Sequence, residues 1–234
     1  MLIFLQYLLA GWAILLIGGL FVGSDPNRRQ LMPTWMRLGS SLVLVIAAWL
    51  WFIVVQDTAP TTIALLIAVG MSLGFIGDLF MSQDVVLGGI GSFGVGHVAY
   101  IVAIWQLANQ IGATTAGPRW GSLAAWLLVG EVGWYLVVIR GQTHTPHRYA
   151  ALHYAQLLAA TAGSATGLGL QTAVFLPVAL GAALFLLSDL LIAGELFSDL
   201  SFPYIGDAIW LTYGPAQMLI LYGLYSGMLG FFSS

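Results

Sequence analysis

Eight runs of about 20 apolar residues dominate the sequence, and a helix needs about that length to cross the hydrocarbon core of a bilayer. Of the 234 residues, 60% are hydrophobic and only 6% are charged, which is too little polar surface for a water-soluble fold. The sequence therefore predicts an all-α polytopic membrane protein with a single transmembrane domain over 1–234. Its predicted spans are about 2–22, 35–55, 61–81, 86–107, 120–139, 149–169, 172–193 and 207–229.

The breaks between the runs carry glycine, proline and charged residues, as in GSDPNRRQLMP and RGQTHTPHR. The weakest break lies near Gln171, where 149–193 is almost continuously apolar. Two helices are still expected there, because one helix of that length would greatly exceed a bilayer. The first run has no basic segment before it, so we interpret it as a retained helix rather than a signal peptide.

Cysteine and charge content exclude several classes of function. With no cysteine, the chain can form no disulfide, thiolate nucleophile or thiolate metal site. The net charge of −3 gives no indication of nucleic-acid binding. No lysine is present, so the six positive charges are all arginines.

The arginines predict the orientation of the helices, because cytoplasmic loops of membrane proteins are enriched in positive charge. Arg119 alone falls at an even-numbered connection of the predicted spans. The other five fall at odd-numbered connections, and they are Arg28, Arg29, Arg37, Arg140 and Arg148. This distribution predicts cytoplasmic odd-numbered connections and two external termini.

Two aspartates, Asp78 and Asp189, lie inside predicted spans, where ionisable groups are costly and usually functional. Both fall near the predicted cytoplasmic ends of their helices. The orientation brings further polar residues to the same half of the membrane, and the set predicted to share a cavity comprises Asp78, His97, His153, Tyr154, Asp189, Tyr213 and Gln217. Tyr100 lies one turn deeper than His97.

Other polar residues receive less specific interpretations. Glu131, midway along the fifth span, is expected to form a structural pair or to reach towards the interface. The histidines His144, His147 and His153 are expected at the surface or among headgroups, and no metal is predicted. Loop positions are expected for Asp57, Asp84, Glu195 and Asp199.

Two carboxyl groups in an apolar cavity can act as an acid and base pair. Burial favours the protonated form of a carboxyl group, and a second carboxyl nearby favours it further. One aspartate could then donate a proton, while the other, supported by Ser188, Tyr213 or Gln217, activates water. The segment GMSLG at 70–74 matches the letters G-x-S-x-G, but it lies inside an apolar helical run rather than at a strand-to-helix turn, so it forms no nucleophile elbow, which disfavours a serine hydrolase of that type. No H-E-x-x-H motif occurs, which disfavours a zinc protease of that type.

Four segments in order, GDLFM, FGVGHVAYI, GAALFLLSDLLIAGELF and LTYGPAQMLI, resemble the YhhN family of membrane proteins, the lysoplasmalogenases. The order, the spacing and the plan of eight spans agree over nearly the whole chain. The resemblance implies hydrolysis of the vinyl ether bond of lysoplasmalogens to a fatty aldehyde and glycerophosphoethanolamine or glycerophosphocholine. It also implies that Asp78 and Asp189 match the two intramembrane aspartates of the family, with His97, Tyr213 and Gln217 at its other polar positions.

Vinyl ether hydrolysis suits this set of residues, since it needs an acid and a base but no cofactor, metal or nucleophilic serine. The hypothesis gives the acid and base roles to Asp78 and Asp189 without deciding which is which. His97 would orient one aspartate or relay a proton, and Ser188, Tyr100, Tyr154, Tyr213 and Gln217 would contact substrate. Phosphate would bind Arg28, Arg29, Arg140 or Arg148, and the lipid would enter between helices.

Two other interpretations remain open at the level of sequence. Paired acids four helices apart also suit a proton-coupled transporter of a lipid or small molecule, built from two repeated halves. The clustering of polar groups towards one side favours an enzyme over a transporter. A hydrolase of another lysolipid would use the same residues. The predicted partners are a lysophospholipid substrate and membrane lipid. The protein is expected in the inner membrane if it is bacterial, with its site towards the cytoplasmic leaflet.

Overall fold

The computed structural model describes residues 2–24, 29–56, 60–141 and 145–232, and the prediction of an all-α protein is confirmed. A π-helical turn, Tyr135–Ile139, extends the fifth helix, and a short 3-10 turn, Ala173–Phe175, precedes the seventh. The eight α-helices are α1 Leu2–Val22, α2 Thr34–Val55, α3 Thr61–Met81, α4 Val86–Gln110, α5 Ala116–Trp134, α6 Pro146–Gln171, α7 Leu176–Phe197 and α8 Ile205–Phe232.

Six helices, α1 to α5 and α7, are long and apolar enough to cross a membrane. In the described parts of the chain, α6 and α8 do not reach that level of apolarity, although they are 26 and 28 residues long. Both carry polar residues on faces that are buried inside the protein, such as Thr161 on α6 and Gln217 on α8. Their lower apolarity therefore comes in part from the protein interior they line.

The break between α6 and α7 lies at the weak point of the sequence pattern. Thr172 adopts an extended conformation that ends α6, and α7 begins at Leu176 with Pro177 in its first turn. Proline is suited to the first turn of a helix, because its missing N–H would have no partner there. The seventh helix therefore begins four residues later than the apolar run at 172 indicated.

Six helices form a closed ring, in the order α2, α3, α4, α6, α7 and α8, with α8 packing back on α2. The other two lie outside the ring, where α1 packs on α2 and α8, and α5 packs on α6 and α7. The units α2–α3–α4 and α6–α7–α8 repeat the same order of packing. We call the end of the ring where α3 and α7 end and α4 and α8 begin the aspartate end, because Asp78 and Asp189 lie towards it.

The opposite half of the ring is filled with apolar side chains. Ile63 and Ile67 of α3 are completely buried there, and Trp51 of α2 packs edge-to-face on Tyr225 of α8. Phe175, just before α7, is also completely buried. Among the described residues, the interior at this end is therefore filled by apolar side chains.

The connection between α1 and α2 is fastened to the start of α8 by Asp207, which is buried. Its carboxylate accepts hydrogen bonds from the backbone N–H groups of Leu31, at 2.6 Å, and Met32, at 2.9 Å. The N–H of Gly206 in turn donates to the carbonyl of Arg29 at 3.1 Å. These bonds hold the segment that leads into α2 over the aspartate end.

We predict that Asp207→Ala lowers the free energy of unfolding by about 2–4 kcal/mol, since two backbone donors lose a charged acceptor. Asp207→Asn should have a smaller effect, because one carbonyl oxygen remains to accept. Thermal or denaturant unfolding in detergent measures the change. Asp84→Asn, at an exposed position whose positive φ of 59° asparagine also tolerates, is the matched control and should be neutral.

Candidate active site

A glycine-lined face of α3 leads to the first aspartate. Gly70, Gly74 and Gly77 share one side of the helix with Asp78, following the helical spacing of three and four residues. A Cβ atom on Gly70 would lie 2.3 Å from the ring of Tyr100, and one on Gly74 would lie 2.8 Å from the side-chain nitrogen of Gln217. The glycines therefore make room for large side chains of α4 and α8 beside Asp78.

Asp78 is buried and is hydrogen-bonded by hydroxyl groups from two other helices. The hydroxyl of Ser41 on α2 donates to Asp78 Oδ2 at 2.5 Å. Tyr213 on α8 also forms a side-chain hydrogen bond with Asp78. The carboxyl group thus receives two donors although its side chain is buried.

A chain of hydrogen bonds continues from Tyr213 into the centre of the ring. Gln217 Nε2 donates to the Tyr213 hydroxyl at 2.5 Å, and the Tyr100 hydroxyl donates to Gln217 Oε1 at 3.2 Å. All three side chains are buried. Because Tyr213 accepts from Gln217, its own hydrogen is directed to Asp78, and the whole chain is polarised towards that carboxyl group.

Asp189, the second aspartate, is partly buried and accepts a hydrogen bond from the Tyr154 hydroxyl on α6. The arrangement parallels that of Asp78, because in each case a hydroxyl on the preceding ring helix donates to the aspartate. Asp189 differs in having one hydroxyl donor in the described residues, where Asp78 has two.

Both aspartates line one polar cavity of about 340 Å³ at the aspartate end. Tyr213 and Trp210 of α8 form part of its wall. Its other charged residues are Arg29, Arg37, Asp84 and Glu195. Arg29 Nε and Glu195 Oε1 form an ion pair of 2.8 Å, in which Arg29 is well exposed.

An apolar pocket adjoins the polar cavity and also reaches Asp189. It lies between the start of α4, the end of α7, and parts of α5 and α6. The two spaces share Met81, Val86, Phe93, Asp189, Ile192 and Leu196. An outer recess of about 460 Å³, lined by the first residues of α4 and by Leu196 and Phe197 of α7, adjoins the same pocket. Asp189 therefore stands where polar and apolar spaces meet.

His97 is buried next to this cluster, but its hydrogen-bond partner is Thr161 on α6 rather than an aspartate. The Nδ1···Oγ1 distance is 3.0 Å, and the Thr161 hydroxyl donates to the carbonyl of Leu157. With its own hydrogen directed to Leu157, the Thr161 hydroxyl accepts from His97 Nδ1–H, and Nε2 is buried without a hydrogen-bond partner among the described residues. The ring packs against Tyr100, Tyr154 and Phe185.

Three other predicted polar positions have hydrogen-bond partners other than the aspartates. Ser188 is buried and donates to the carbonyl of Ile209 at 3.3 Å, so it links α7 to α8. His153 is exposed and its Nδ1 is 3.3 Å from Gln156 Oε1. Gln156 Nε2 donates to Glu131 at 2.7 Å, which gives Glu131 a structural pair between α5 and α6.

The arginines proposed for phosphate binding are placed differently from one another. Arg29 lines the polar cavity, while Arg140 is exposed at the end of the π-helical turn and does not line it. The Arg148 guanidinium lies 5.9 Å from the ring of Phe197, beside the outer recess. Arg28 lies outside the described residues, as do Asp57 and His144, and the His147 side chain is likewise not described.

Sequence reasoning missed two residues of the site, Ser41 and Arg37. Ser41 occurs in an ordinary apolar helix and gives no signal of its own. In the sequence, Arg37 indicates only the orientation of the helices across the membrane, whereas in the structure it lines the polar cavity. Among the described residues, no group of three histidine or acidic side chains is arranged to hold a metal ion.

Comparison with known proteins identifies the family of the chain. The family model described as the YhhN family matches residues 34–224, which include all six helices of the ring almost completely. The chain belongs to the YhhN family, and the resemblance noted in the sequence is confirmed. No curated protein and no solved structure matches it.

We predict that Gly70→Ala destabilises the protein, because the new methyl group would overlap the buried Tyr100 ring. Overpacking of this kind lowers the free energy of unfolding by about 1–3 kcal/mol. Thermal unfolding in detergent measures the effect. Gly91→Ala is the matched control on α4, since nothing lies within 4 Å of its Cβ position, and it should leave stability unchanged or slightly raised. Equal stabilities of the two variants would contradict the prediction.

Proposed function

We propose that the protein is a lysoplasmalogenase-like hydrolase. It would cleave the vinyl ether bond of a lysoplasmalogen and release a fatty aldehyde and glycerophosphoethanolamine or glycerophosphocholine. The observation that carries the proposal is the position of two carboxyl groups on one polar cavity that adjoins an apolar pocket. A lysolipid has the same division, with a polar headgroup, one apolar chain and the cleavable bond between them. Membership of the YhhN family is consistent with this activity.

We assign the acid role to Asp189 and the base role to Asp78. Asp78 accepts two hydroxyl hydrogen bonds, which stabilise a carboxylate, whereas Asp189 accepts one and borders the apolar pocket. Protonated Asp189 gives its proton to the β-carbon of the vinyl ether, and an oxocarbenium ion forms. Asp78 removes a proton from the water that adds to this ion, which yields a hemiacetal.

Collapse of the hemiacetal restores both carboxyl groups. The hemiacetal hydroxyl returns its proton to Asp189 as the aldehyde forms, and Asp78 gives its proton to the departing glycerol oxygen. Tyr154 and Tyr213 hold the two carboxyl groups in position throughout. His97 acts as a positioning residue in this scheme, because its ring packs on Tyr154 and Tyr100 without reaching an aspartate through a direct hydrogen bond.

The membrane arrangement belongs to the same proposal. All eight helices span the bilayer, with α6 and α8 shielded from lipid along their polar faces by the rest of the ring. Both termini lie outside, and the aspartate end faces the cytoplasmic leaflet, of the inner membrane in a bacterium. A single-chain lipid enters through the recess between the start of α4 and the end of α7, and its chain rests in the apolar pocket.

A proton-coupled transporter is the second candidate, and the repeated order of packing in α2–α3–α4 and α6–α7–α8 favours it. The filled opposite half of the ring argues against it, because a carrier must open its site to both sides. Hydrolysis of another lysolipid would use the same cavity and differ only in the bond that is cleaved.

The test is an assay of purified protein in detergent with lysoplasmenyl-ethanolamine, alongside the matching acyl lysolipid, with aldehyde and fatty acid measured separately. We predict aldehyde release by the parent protein and a loss of at least about a hundredfold in Asp78→Asn and in Asp189→Asn, since acid or base catalysis contributes 10²–10⁴-fold. Asp199→Asn, at an exposed position outside the cavity, is the matched control and should retain full activity.

The outcomes separate the candidate functions. Fatty acid release from the acyl lipid alone would replace the reaction with ester hydrolysis at the same site. Turnover of neither lipid by folded protein would reject the hydrolase, and proton-coupled uptake into vesicles would then be measured.

A further prediction concerns the apolar pocket. Ala193→Phe on α7 places a large ring in it, so we expect a higher KM for a substrate with a long alkenyl chain. A substrate with a short chain should be affected much less, because its end would not reach the added ring. Steady-state kinetics with a series of chain lengths measures the difference. An equal effect at every length would show that this pocket does not hold the chain.

A further inference from the structure

Arg37 is a cation inside the polar cavity, one turn into α2 and next to the segment fastened by Asp207. It shares the cavity with Asp78, Asp189, Tyr213 and Trp210. Its charge interacts with those of Asp78 and Asp207. The residue is half-buried, so that its charge is only partly compensated by water.

Two contacts fix the position of the Arg37 side chain and leave some of its N–H groups without hydrogen-bond partners among the described residues. One guanidinium nitrogen donates to the Thr34 hydroxyl at 2.8 Å, and the guanidinium lies 5.5 Å from the centre of the Trp210 ring. Nε is buried and has no hydrogen-bond partner among the described residues. Among the described residues, the ion pair within 4.0 Å joins Arg29 to Glu195. Arg37 therefore has no carboxylate oxygen of a described residue within that distance.

An arginine held in this way has the chemistry of an anion site. A guanidinium group presents its N–H donors in a planar fork that matches two oxygens of a phosphate, and stacking on an aromatic ring leaves the edge of the fork available. Partial burial of a cation whose N–H donors have no partners costs free energy, and a bound anion would offset that cost. The open volume of about 340 Å³ next to it can accommodate a group of that size.

We propose that Arg37 binds the phosphodiester of the lysophospholipid headgroup and so sets the position of the cleavable bond over the aspartates. This inference rests on the proposed function, because it assigns the headgroup subsite of that substrate. The glycerol backbone separates phosphate from the ether oxygen, and Arg37 and the two aspartates line the same cavity. Arg29, whose charge is paired with Glu195 at the exposed rim, is not required for this contact.

Two measurements on the full chain in a non-ionic detergent test the proposal. The first is thermal unfolding with and without glycerophosphoethanolamine, which carries the headgroup without the chain. We expect this compound to raise the Tm of the parent and of Arg140→Gln, the matched control with an exposed arginine outside the cavity, but not that of Arg37→Gln. Inorganic phosphate at the same concentration should protect less.

The second measurement compares lysoplasmenyl-ethanolamine with the corresponding alkenylglycerol, which lacks phosphate. Arg37→Gln should lower kcat/KM for the phospholipid by about 10- to 100-fold, mainly through KM, since a hydrogen bond to a charged group contributes about 1.5–3 kcal/mol. For alkenylglycerol, kcat/KM of Arg37→Gln should stay within about twofold of the parent value. This substrate has no phosphate, so the variant removes no binding energy that the parent gains from it. Arg37→Lys keeps a charge in the cavity and should give an intermediate KM, which guards against a folding defect in Arg37→Gln.

Three results would overturn the headgroup site. One is an equal loss of kcat on both substrates, which would mean that Arg37 acts on Asp78 instead. The others are protection of Arg37→Gln by glycerophosphoethanolamine, and protection of the parent by inorganic phosphate that is just as strong. The proposed function fails separately: if the parent cleaves neither substrate but Arg37-dependent protection persists, the phosphate site stands and the hydrolase is rejected.

Discussion

A carboxyl group inside a helical membrane bundle needs hydrogen-bond donors from neighbouring helices, and the two aspartates impose this requirement on the whole ring. Asp78 on α3 takes a donor from Ser41 on α2, and Asp189 on α7 takes one from Tyr154 on α6. Each hydroxyl stands on the helix that precedes its aspartate in the ring, so the same constraint operates twice. The contacts α2–α3 and α6–α7 are therefore specified by polar groups as well as by packing.

Small residues make this arrangement possible. The glycine-lined face of α3 lets Tyr100 and Gln217 approach Asp78 from two sides, which builds the hydrogen-bonded chain at the centre of the ring. Among the described residues, the cluster is open towards the aspartate end, and apolar side chains fill the other half. The same packing that supports the carboxyl groups thus limits how they can be reached, from the polar cavity and from the adjoining apolar pocket.

The eight helices could be predicted because each apolar run stands out against polar breaks, and the family could be recognised from four short segments around the aspartates. That Asp78, Asp189 and Tyr213 lie at one end of the bundle, with Tyr154 beside Asp189, followed from the position of each residue in its run. Side-chain partners could not be predicted in the same way. Ser41 is compatible with any helix packed in lipid, and the choice of Thr161 over an aspartate as partner of His97 depends on how α4 meets α6. The position of Arg37 inside the cavity depends on the attachment of the preceding segment to Asp207, which lies far away in sequence.

The proposed mechanism requires a carboxyl group to protonate the β-carbon of a vinyl ether, and the origin of that hydrogen can be measured. Purified protein would hydrolyse lysoplasmenyl-ethanolamine in D₂O, with the aldehyde trapped as it forms and analysed by mass spectrometry. Unlabelled aldehyde incubated with the protein under the same conditions corrects for exchange. We expect one deuterium on the carbon next to the aldehyde group, since the aspartate proton comes from solvent. An aldehyde without deuterium at that carbon would contradict it.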